Sequence, residues 1–340
     1  MEGDHIRINH WLMPLSWLYG LVVSIRNLMF DAGALKSKTF PLPVICVGNI
    51  TVGGTGKTPH TEYLIRLLSK NHQVAVLSRG YKRKSKGYVL ANDDTPIQDL
   101  GDEPYQMKHK YPHIHMAVDT DRCHGIEQLM KPNVNPSNEV VILDDAYQHR
   151  YVKAGMNILL MDYHRPIYLD KLLPAGRLRE PQSGKQRADI VIITKCPPDI
   201  TPTERKGIER SLDLENGQKV FFTTYQYPDQ MEGLGERPLL VTGIASPQQM
   251  EYDLRKHISD FEMMTFPDHH NFTDADIENI RTRAAGRTIL TTEKDATRLH
   301  GLDNMKVIPI EVKFIEGESE FEQLISNYVQ INARNNVPNS

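Results

Sequence analysis

Short apolar runs alternate with helix-forming segments along most of this 340-residue chain. Val140–Leu143 and Ile190–Ile193 are continuous apolar runs, which are typical of strands buried on both faces of a sheet. Segments such as 57–70 and 203–212 have the length and spacing of helices. Strands that alternate with helices are typical of βαβ units. We therefore predict an α/β fold built on a parallel sheet with right-handed crossovers.

The composition is that of a soluble globular chain. Charged residues make up 24% and hydrophobic residues 39%, which argues against a disordered or polytopic membrane protein. Forty basic and 43 acidic residues give a net charge of −3, whereas a protein that binds nucleic-acid phosphates is usually basic. Three widely spaced cysteines without a CxxC pair favour a reducing cytosol. We expect no nucleic-acid partner, and no obligate protein partner is evident.

A glycine-rich loop follows the first predicted strand. Residues 43–61 read PVICVGNITVGGTGKTPHT, in which Gly56, Lys57 and Thr58 match the end of a Walker A motif while Thr51 stands at its first glycine position. Glycines let backbone N–H groups turn toward phosphate oxygens, and the following helix presents its positive end to them. The simpler alternative is a turn before a helix. We predict that ATP is bound by Thr51, Val52, Gly53, Gly54, Thr55, Gly56, Lys57 and Thr58.

Two adjacent acids end a later apolar strand. Asp144 and Asp145 follow Val140–Leu143, as a Walker B element requires, and carboxylates are suitable ligands for Mg²⁺. A solvated acidic strand end is the alternative. We predict a Mg²⁺ site made by Asp144 and Asp145 with the hydroxyl of Thr58.

The N-terminal segment is apolar and contains both tryptophans of the chain. The stretch Trp11–Val23 has Ser16 as its one clear polar residue, and as a helix it spans about 20 Å, less than the roughly 30 Å of a hydrocarbon core. Its spacing predicts a helix lying in a membrane interface through residues 7–30. The alternative is a helix packed on the protein's own core. The residues that share one helical face are Trp11, Leu15, Leu18, Val22, Ile25 and Met29.

Further motifs point to one kinase family. Together with GGTGKTP and LDD…QH, the chain carries SRGY, GDEP, LPAGRLREP, DHHNF and TTEKD in a fixed order. Each motif is weak alone, but the set resembles the tetraacyldisaccharide 4′-kinase (lipid A 4′-kinase) family from the N-terminal helix to about residue 315. The motifs lie at 53–59, 143–149, 78–81, 101–104, 173–181, 268–272 and 291–295.

The resemblance implies a specific reaction and architecture. Members of this family use ATP and Mg²⁺ to phosphorylate the 4′-hydroxyl of a tetraacyl glucosamine disaccharide 1-phosphate, a step of lipid A synthesis at the cytoplasmic face of the inner membrane. The implied fold is a P-loop NTPase-type parallel sheet lobe, a smaller second α/β lobe and an N-terminal membrane-associating helix. The family's base-like dyad corresponds to Asp102 and His269, with His270 as the alternative to His269. Lys57 is the third residue expected to act in transfer.

Other charged groups are candidates for the metal or the substrate. Glu180 is either a further Mg²⁺ or substrate ligand or the partner of Arg177 or Arg179 in an ion pair. Arginines bind phosphate in a bidentate manner, although any one of them is equally expected to be a solvated surface residue. The candidates for the substrate are Arg79, Glu103, Arg122, Gln148, His149 and Arg177.

The predicted domain order is an interfacial helix over 1–34, a P-loop kinase lobe over 35–225 and a smaller α/β lobe over 238–335. The linker falls at about 226–237, which is rich in acids and turn residues. Two alternatives to the lipid kinase remain at this point: a membrane-associated regulatory P-loop ATPase or GTPase, and a soluble small-molecule kinase. Thr194-Lys195-Cys196-Pro197 lacks the aspartate with which GTPases read guanine, so the GTPase alternative has little support.

Overall fold

A computed structural model describes residues 6, 8–134, 136–227, 233–244, 247–268 and 270–334. The chain divides into two compact units. The first comprises Met1–Thr224 and Val312–Ser340, and the second comprises Tyr225–Glu311. The second unit is therefore inserted into the sequence of the first.

The strands follow the predicted apolar runs closely. They are β1 (Val44–Gly48), β2 (Val74–Ser78), β3 (Val89–Leu90), β4 (His115–Val118), β5 (Val140–Asp144), β6 (Met156–Asp162), β7 (Ile190–Thr194), β8 (Lys219–Gln226), β9 (Leu239–Thr242), β10 (Glu262–Thr265), β11 (Ile289–Thr292), β12 (Met305–Ile308) and β13 (Glu311–Phe314).

The helices lie between these strands. They are α1 (Met13–Asp31), α2 (Lys57–Leu68), α3 (Ile97–Leu100), α4 (Asp102–Lys110), α5 (Arg122–Leu129), α6 (Pro202–Leu212), α7 (Pro247–Leu254), α8 (Asp274–Ala284), α9 (Glu293–Ala296) and α10 (Glu318–Arg334). Short 3₁₀ turns occupy His10–Leu12, Ile167–Leu169 and Gln182–Arg187.

In the described part of the first unit, nine strands form one sheet in the order β13-β8-β7-β6-β1-β5-β2-β4-β3. β1 lies between β5 and β6 and is parallel to both. Every residue of β1, β2, β5 and β7 is buried, because helices cover both faces of a parallel sheet. The predicted α/β fold is confirmed. The carboxyl ends of β1, β5 and β2 are neighbours, so the loops that follow them meet at one edge.

The second unit has its own parallel sheet. In its described residues the strand order is β10-β9-β11-β12, and all of the pairs are parallel. Leu239 and Val241 pack in one apolar cluster while Leu240 packs in another. Because neighbouring residues of a strand face opposite sides, this unit buries apolar side chains on both faces of its sheet.

The chain after residue 308 differs from the prediction. The sequence pattern over 306–313 predicts a single strand, and this prediction is wrong: β12 ends at Ile308, and β13 joins the sheet of the first unit. Pro309 separates them, because proline has no N–H to donate to a strand ladder. Residues after Glu311 thus belong to the first unit rather than to a lobe over 238–335. The linker expected at 226–237 includes residues 228–232, which lie outside the described residues.

Helix α1 has a buried polar face and an exposed apolar face. Ser16 and Gly20 are buried, and a Cβ atom at Gly20 would lie only 2.6 Å from Cδ1 of Leu172, so glycine permits the close approach. The segment His10–Asp31 is long and apolar enough to cross a membrane by length and composition. The exposed face contains five residues of the predicted set, and the sixth, Trp11, is exposed in the 3₁₀ turn that precedes the helix. The five are Leu15, Leu18, Val22, Ile25 and Met29.

Candidate active site at the carboxyl edge of the main sheet

The glycine-rich loop connects β1 to α2. Its backbone is left-handed at Gly56, with φ of +84°, immediately before the helix begins at Lys57. Gly53 has φ of +121°, a conformation that side chains with a Cβ rarely adopt. These two glycines let the loop turn sharply, and α2 then directs its free N–H groups toward the space that the loop encloses.

Side chains from outside the loop hold its carbonyl groups. The carbonyl oxygens of residues 54–56 accept hydrogen bonds from Lys195 Nζ, Thr194 Oγ1 and His60 Nδ1, in that order. The bond from Thr194 is 2.9 Å long and that from His60 is 2.7 Å. The other ring nitrogen of His60 lies 3.0 Å from Thr223 Oγ1. These contacts hold three consecutive carbonyl groups of the loop in place.

Asp144 lies at the end of β5 and is buried. Thr61 Oγ1 donates to one of its oxygens at 3.2 Å, and Ser78 Oγ donates to the other at 3.1 Å. Burial, followed by the negative charges of Glu103 and Asp145, raises the pKa of Asp144 to about 7. A buried carboxyl with carboxylate neighbours is an unfavourable place for a negative charge unless a cation is bound.

Asp145 has a left-handed backbone, with φ of +48°. Its Oδ1 lies 3.6 Å from Lys57 Nζ and 3.5 Å from a terminal nitrogen of Arg179. The left-handed residue of this motif is therefore Asp145 and not Ala146, so alanine fits at position 146. The acids after β5 and the lysine of the glycine-rich loop are brought together as predicted.

The arginine-rich segment lies along the glycine-rich loop. The N–H of Val52 donates to the carbonyl of Arg177 at 2.8 Å, and the N–H of Arg179 donates to the carbonyl of Ile50 at 2.7 Å. The side chain of Arg177 is exposed, as is that of Arg79. Both guanidinium groups are thus accessible to an anionic ligand.

Glu180 is almost fully buried, with 1% exposure. Its Oε2 accepts a 2.8 Å bond from Arg187 and a 3.2 Å bond from Nδ2 of Asn27. The ion pair with Arg177 or Arg179 considered from the sequence is wrong, because Arg187 is the partner. Its Oε1 has no hydrogen-bond partner among the described residues, so this buried oxygen is suited to bind a cation.

The predicted substrate residues Arg122, Gln148 and His149 are less accessible. Arg122 is 3% exposed, and one guanidinium nitrogen donates to the carbonyl groups of residues 119 and 120. Gln148 donates from Nε2 to the carbonyl of Asn49 at 2.6 Å. Burial, followed by the positive charge of Arg122, lowers the pKa of His149 to about 4. His149 is therefore neutral at physiological pH.

The GDEP motif starts helix α4. Gly101 has φ of +88°, and a Cβ atom there would lie 2.7 Å from the carbonyl oxygen of Tyr81. Asp102 and Glu103 form the first turn of the helix, where its dipole stabilises negative charge. Glu103 is one of the charges that raise the pKa of Asp144, so this turn borders the acids of β5.

The DHH motif follows β10 in the second unit. His269 lies outside the described residues. The ring of His270 is 3.0 Å from Asp276 Oδ2 and stacks on Phe266 with ring centroids 4.9 Å apart. Asp268 accepts a 2.9 Å bond from Lys294 of the TTEKD motif. His270 and Asp268 thus contact residues of their own unit.

Sequence reasoning missed several residues that shape this site. Asn27 and Arg187 reach the site through tertiary contacts, and no motif marks them. His60 directly follows the GGTGKTP motif and contacts the carbonyl of Gly56. Lys195 contacts the glycine-rich loop from the loop after β7, and its place directly after this buried strand was the signal available for it.

The chain matches the family described as tetraacyldisaccharide-1-P 4′-kinase over residues 8–330. A protein named tetraacyldisaccharide 4′-kinase from Phocaeicola vulgatus is 54% identical, and the alignment covers 98% of this chain and 99% of that protein. A protein of the same name from Flavobacterium johnsoniae is 47% identical over 94% of this chain and 97% of its own length.

A crystal structure of LpxK from Aquifex aeolicus in complex with ATP is similar in fold. The TM-score is 0.76 at 34% sequence identity, with 94% of this chain and 98% of that chain covered. The likeness therefore extends over both the sequence and the fold.

Proposed function

This chain belongs to the tetraacyldisaccharide-1-phosphate 4′-kinase family, and we propose that Lys57, Asp144, Asp145 and Asp102 carry out its phosphoryl transfer. The protein is an ATP-dependent kinase of lipid A biosynthesis that phosphorylates the 4′-hydroxyl of a tetraacyl glucosamine disaccharide 1-phosphate. It uses ATP and Mg²⁺.

The observation that carries the proposal is the group of carboxylates beside the lysine of the glycine-rich loop. Burial, and after it the negative charges of Glu103 and Asp145, raise the pKa of Asp144 to about 7. A divalent cation would neutralise this charge, and Thr58 begins the helix that leads away from Lys57. We assign Mg²⁺ binding to Thr58, Asp144 and Asp145, with Glu180 as a further ligand through its unpartnered oxygen. Bound Mg²⁺ supplies positive charge to the phosphate oxygens of ATP.

The glycine-rich loop is the proposed phosphate site. Residues 51–58 would bind the β- and γ-phosphates through backbone N–H groups, and Lys57 would add a positive charge. The ion contact between Lys57 and Asp145 keeps the ammonium at this position before the nucleotide binds. Phosphoryl transfer depends mainly on such positioning and charge stabilisation, so most of the rate is expected to come from these groups.

Asp102 is the proposed proton acceptor for the sugar hydroxyl, and His269 is the second member of the dyad that the family resemblance implies. A hydroxyl becomes an effective nucleophile when a base takes its proton as the bond to phosphorus forms. The family resemblance of the GDEP and DH motifs supports the pair, and the position of Asp102 in the first turn of α4, beside Glu103, supports its access to the site. His270 is the weaker candidate because its ring contacts Asp276 and Phe266.

Arg79 and Arg177 are the proposed ligands of the substrate's 1-phosphate. Their side chains are exposed, and guanidinium groups bind phosphate through two parallel hydrogen bonds. Arg122, by contrast, is buried and donates to backbone carbonyl groups, so we assign it to the structure of the site. Gln148 and His149 are proposed to line the part of the site that binds the sugar acceptor.

Helix α1 is the proposed membrane contact. Its exposed apolar face would enter the interface of the cytoplasmic side of the inner membrane, where the lipid substrate resides. The exposure of Trp17, Leu18 and Leu21, each more than half exposed, supports this assignment because an apolar surface of this extent is unfavourable in water. The polar face of α1 contacts the protein, and for this reason we assign α1 as a peripheral, monotopic helix.

No observation on the described residues favours a regulatory ATPase or GTPase. Lys195 contacts Gly54 and forms a 2.6 Å ion pair with Asp162, and Pro197 stands where a guanine-reading aspartate would be.

The proposed base is tested by comparing Asp102→Asn, His269→Ala and His270→Ala in a transfer assay. We expect the first two to lower kcat by roughly 10²–10⁴-fold while ATP binding, measured by calorimetry, is unchanged. His270→Ala is the matched control and should keep most of the activity. Wild-type turnover in Asp102→Asn would eliminate this residue as the base.

A further inference from the structure

The polar side chains of helix α1 reach into the two loops that carry the candidate site. Tyr19 Oη donates to the carbonyl of Arg179 at 2.8 Å, and Arg26 donates to the carbonyl of Gln148 at 3.0 Å. Asn27 is the residue that contacts a site side chain, with Nδ2 3.2 Å from Glu180 Oε2. The helix with the exposed apolar face therefore contacts both loops that carry candidate site residues.

The position of Asn27 is itself fixed by the protein. Its backbone carbonyl accepts a 2.9 Å bond from Arg150, whose other terminal nitrogen contacts Asp31 at the end of the helix. Arg150 also lies over the ring of Phe30, 5.1 Å from its centroid. These contacts hold the last two turns of α1 against the loop after β5, so the Asn27 amide is presented to Glu180 from a rigid element.

Glu180 is held from one side only. Arg187 and Asn27 both donate to Oε2, while Oε1 is buried without a hydrogen-bond partner among the described residues. A buried carboxylate depends on hydrogen-bond donors to keep one orientation. With one donor removed, the group can rotate about its terminal torsion and turn both oxygens toward Arg187.

We propose that Asn27 is a positioning residue for Glu180, which orients this carboxylate as a ligand of the catalytic Mg²⁺. The inference rests on the proposed metal role of Glu180. Groups that orient a metal ligand typically change metal affinity or activity by roughly 10–100-fold when they are removed. Loss of the Asn27 amide should therefore raise the Mg²⁺ concentration needed for half-maximal rate about tenfold, with little change in the KM for ATP.

The test uses the full-length protein and titrates Mg²⁺ in two ways, by the transfer assay and, with ATP present, by the rise in melting temperature that bound Mg²⁺ causes. Asn27→Leu removes the amide at similar size. Asn27→Asp keeps the shape of the side chain but places a second carboxylate against Glu180. The aspartate variant serves as the test if the leucine variant does not fold. Ser24→Leu is the matched control, because Ser24 is exposed on the same helix. We expect a higher Mg²⁺ requirement in both Asn27 variants and a wild-type requirement in Ser24→Leu.

A double-mutant cycle separates positioning from a general structural effect. If Asn27 acts through Glu180, Asn27→Leu adds no further change in the Glu180→Gln background. The role of Asn27 would be overturned if both Asn27 variants kept the wild-type Mg²⁺ dependence while Glu180→Gln raised the Mg²⁺ requirement. It would also be overturned if the effects of Asn27→Leu and Glu180→Gln on the Mg²⁺ requirement were fully additive. Wild-type Mg²⁺ dependence in Glu180→Gln itself would instead refute the proposed metal role of Glu180.

Discussion

The Nδ1 atom of His60 lies 2.7 Å from the carbonyl oxygen of Gly56. The imidazole is buried, and its other nitrogen contacts the hydroxyl of Thr223 on strand β8. A neutral imidazole satisfies both contacts, since Nδ1–H can donate to the carbonyl while Nε2 accepts from the hydroxyl. One buried side chain thus links the end of the glycine-rich loop to the main sheet.

His60 makes the stability of the first unit depend on pH. Burial, and to a lesser extent the charge of Lys195, lowers the pKa of His60 from 6.5 to about 4. The unfolded chain therefore takes up this proton first as the pH falls, and stability present above pH 6.5 is lost between about pH 6.5 and 4, by about 3 kcal/mol in total.

The measurement is the melting temperature at pH 7 and at pH 4.5, followed by circular dichroism. His60→Gln does not titrate, so its melting temperature should fall less than that of the wild type between the two conditions. Some decrease should remain because the pKa of His149 is lowered in the same direction. An equal decrease in variant and wild type would contradict the assignment.

Lys195 is expected to support ATP binding indirectly. It donates to the carbonyl of Gly54 and pairs with Asp162 at 2.6 Å. Lys195→Met keeps the apolar stem and removes the charge, so the loop loses one of its three carbonyl contacts. Since a hydrogen bond to a charged group contributes about 1.5–3 kcal/mol, we expect the KM for ATP to rise at least about tenfold.

The matched control is Lys206→Met, because Lys206 is exposed on helix α6. Steady-state kinetics with varied ATP should show a wild-type KM for this control. If Lys195→Met also keeps the wild-type KM, the carbonyl contacts do not determine the conformation of the loop.

Most of the fold was readable from the sequence because its strands are strongly apolar. Val140–Leu143 and Ile190–Ile193 are buried on both faces of the sheet. Such a strand requires apolar residues at nearly every position, so it is recognisable in the sequence. Over 306–313 the pattern of a single strand is misleading, because Pro309 divides β12 from β13. The two strands join different sheets, and no local pattern in the sequence specifies that change of partner.

The site was predictable where motifs follow neighbouring strands of the sheet. The glycine-rich loop after β1 and the acids at the end of β5 were both identified from the sequence, and Lys57 and Asp145 lie 3.6 Å apart there. The partner of Glu180 was not: Arg187 lies seven residues further on, and Asn27 lies 153 residues away in sequence. Such contacts depend on how the elements pack, and residue type alone does not indicate them.

The carboxyl group of Asp144, a proposed metal ligand, is predicted to lower the folding stability of the metal-free protein at neutral pH. Its pKa is raised from 3.8 to about 7, so the folded state binds this proton more tightly than the unfolded state does. The resulting stability is full below about pH 4 and is lost as the pH rises through 7, by about 4 kcal/mol. Asn at this position carries no charge to bury.

We therefore expect metal-free Asp144→Asn to melt a few degrees higher than the wild type at pH 8 and to show a smaller advantage at pH 5. Addition of Mg²⁺ with ATP should raise the melting temperature of the wild type more than that of the variant, and transfer activity should be lost. A lower melting temperature for the variant at pH 8 would contradict the electrostatic account.

The exposed face of α1 is predicted to control membrane binding and not the chemistry. Leu21 and Val22 are 57% and 61% exposed. Replacing both with Gln should weaken flotation with phosphatidylethanolamine–phosphatidylglycerol vesicles about tenfold or more, because each buried aliphatic side chain contributes roughly 1.5–3 kcal/mol. The kcat on detergent-dispersed substrate should stay at the wild-type value.

Ile331→Gln is the control for this experiment, since Ile331 is 60% exposed on helix α10. It should float with the vesicles like the wild type. Equal loss of flotation in this control would mean that apolar exposure in general, and not α1, determines membrane binding.

The central claim is that the glycine-rich loop, through Lys57, directs the γ-phosphoryl group of ATP to the 4′-hydroxyl of the lipid disaccharide. The direct measurement follows γ-³²P from ATP in the presence of purified protein, Mg²⁺ and tetraacyl disaccharide 1-phosphate, with the products separated by thin-layer chromatography. The wild type should transfer the label to the 4′-position of the lipid, and Lys57→Ala should transfer at least about 100-fold less. Release of the label as inorganic phosphate alone, or wild-type transfer by Lys57→Ala, would contradict the account.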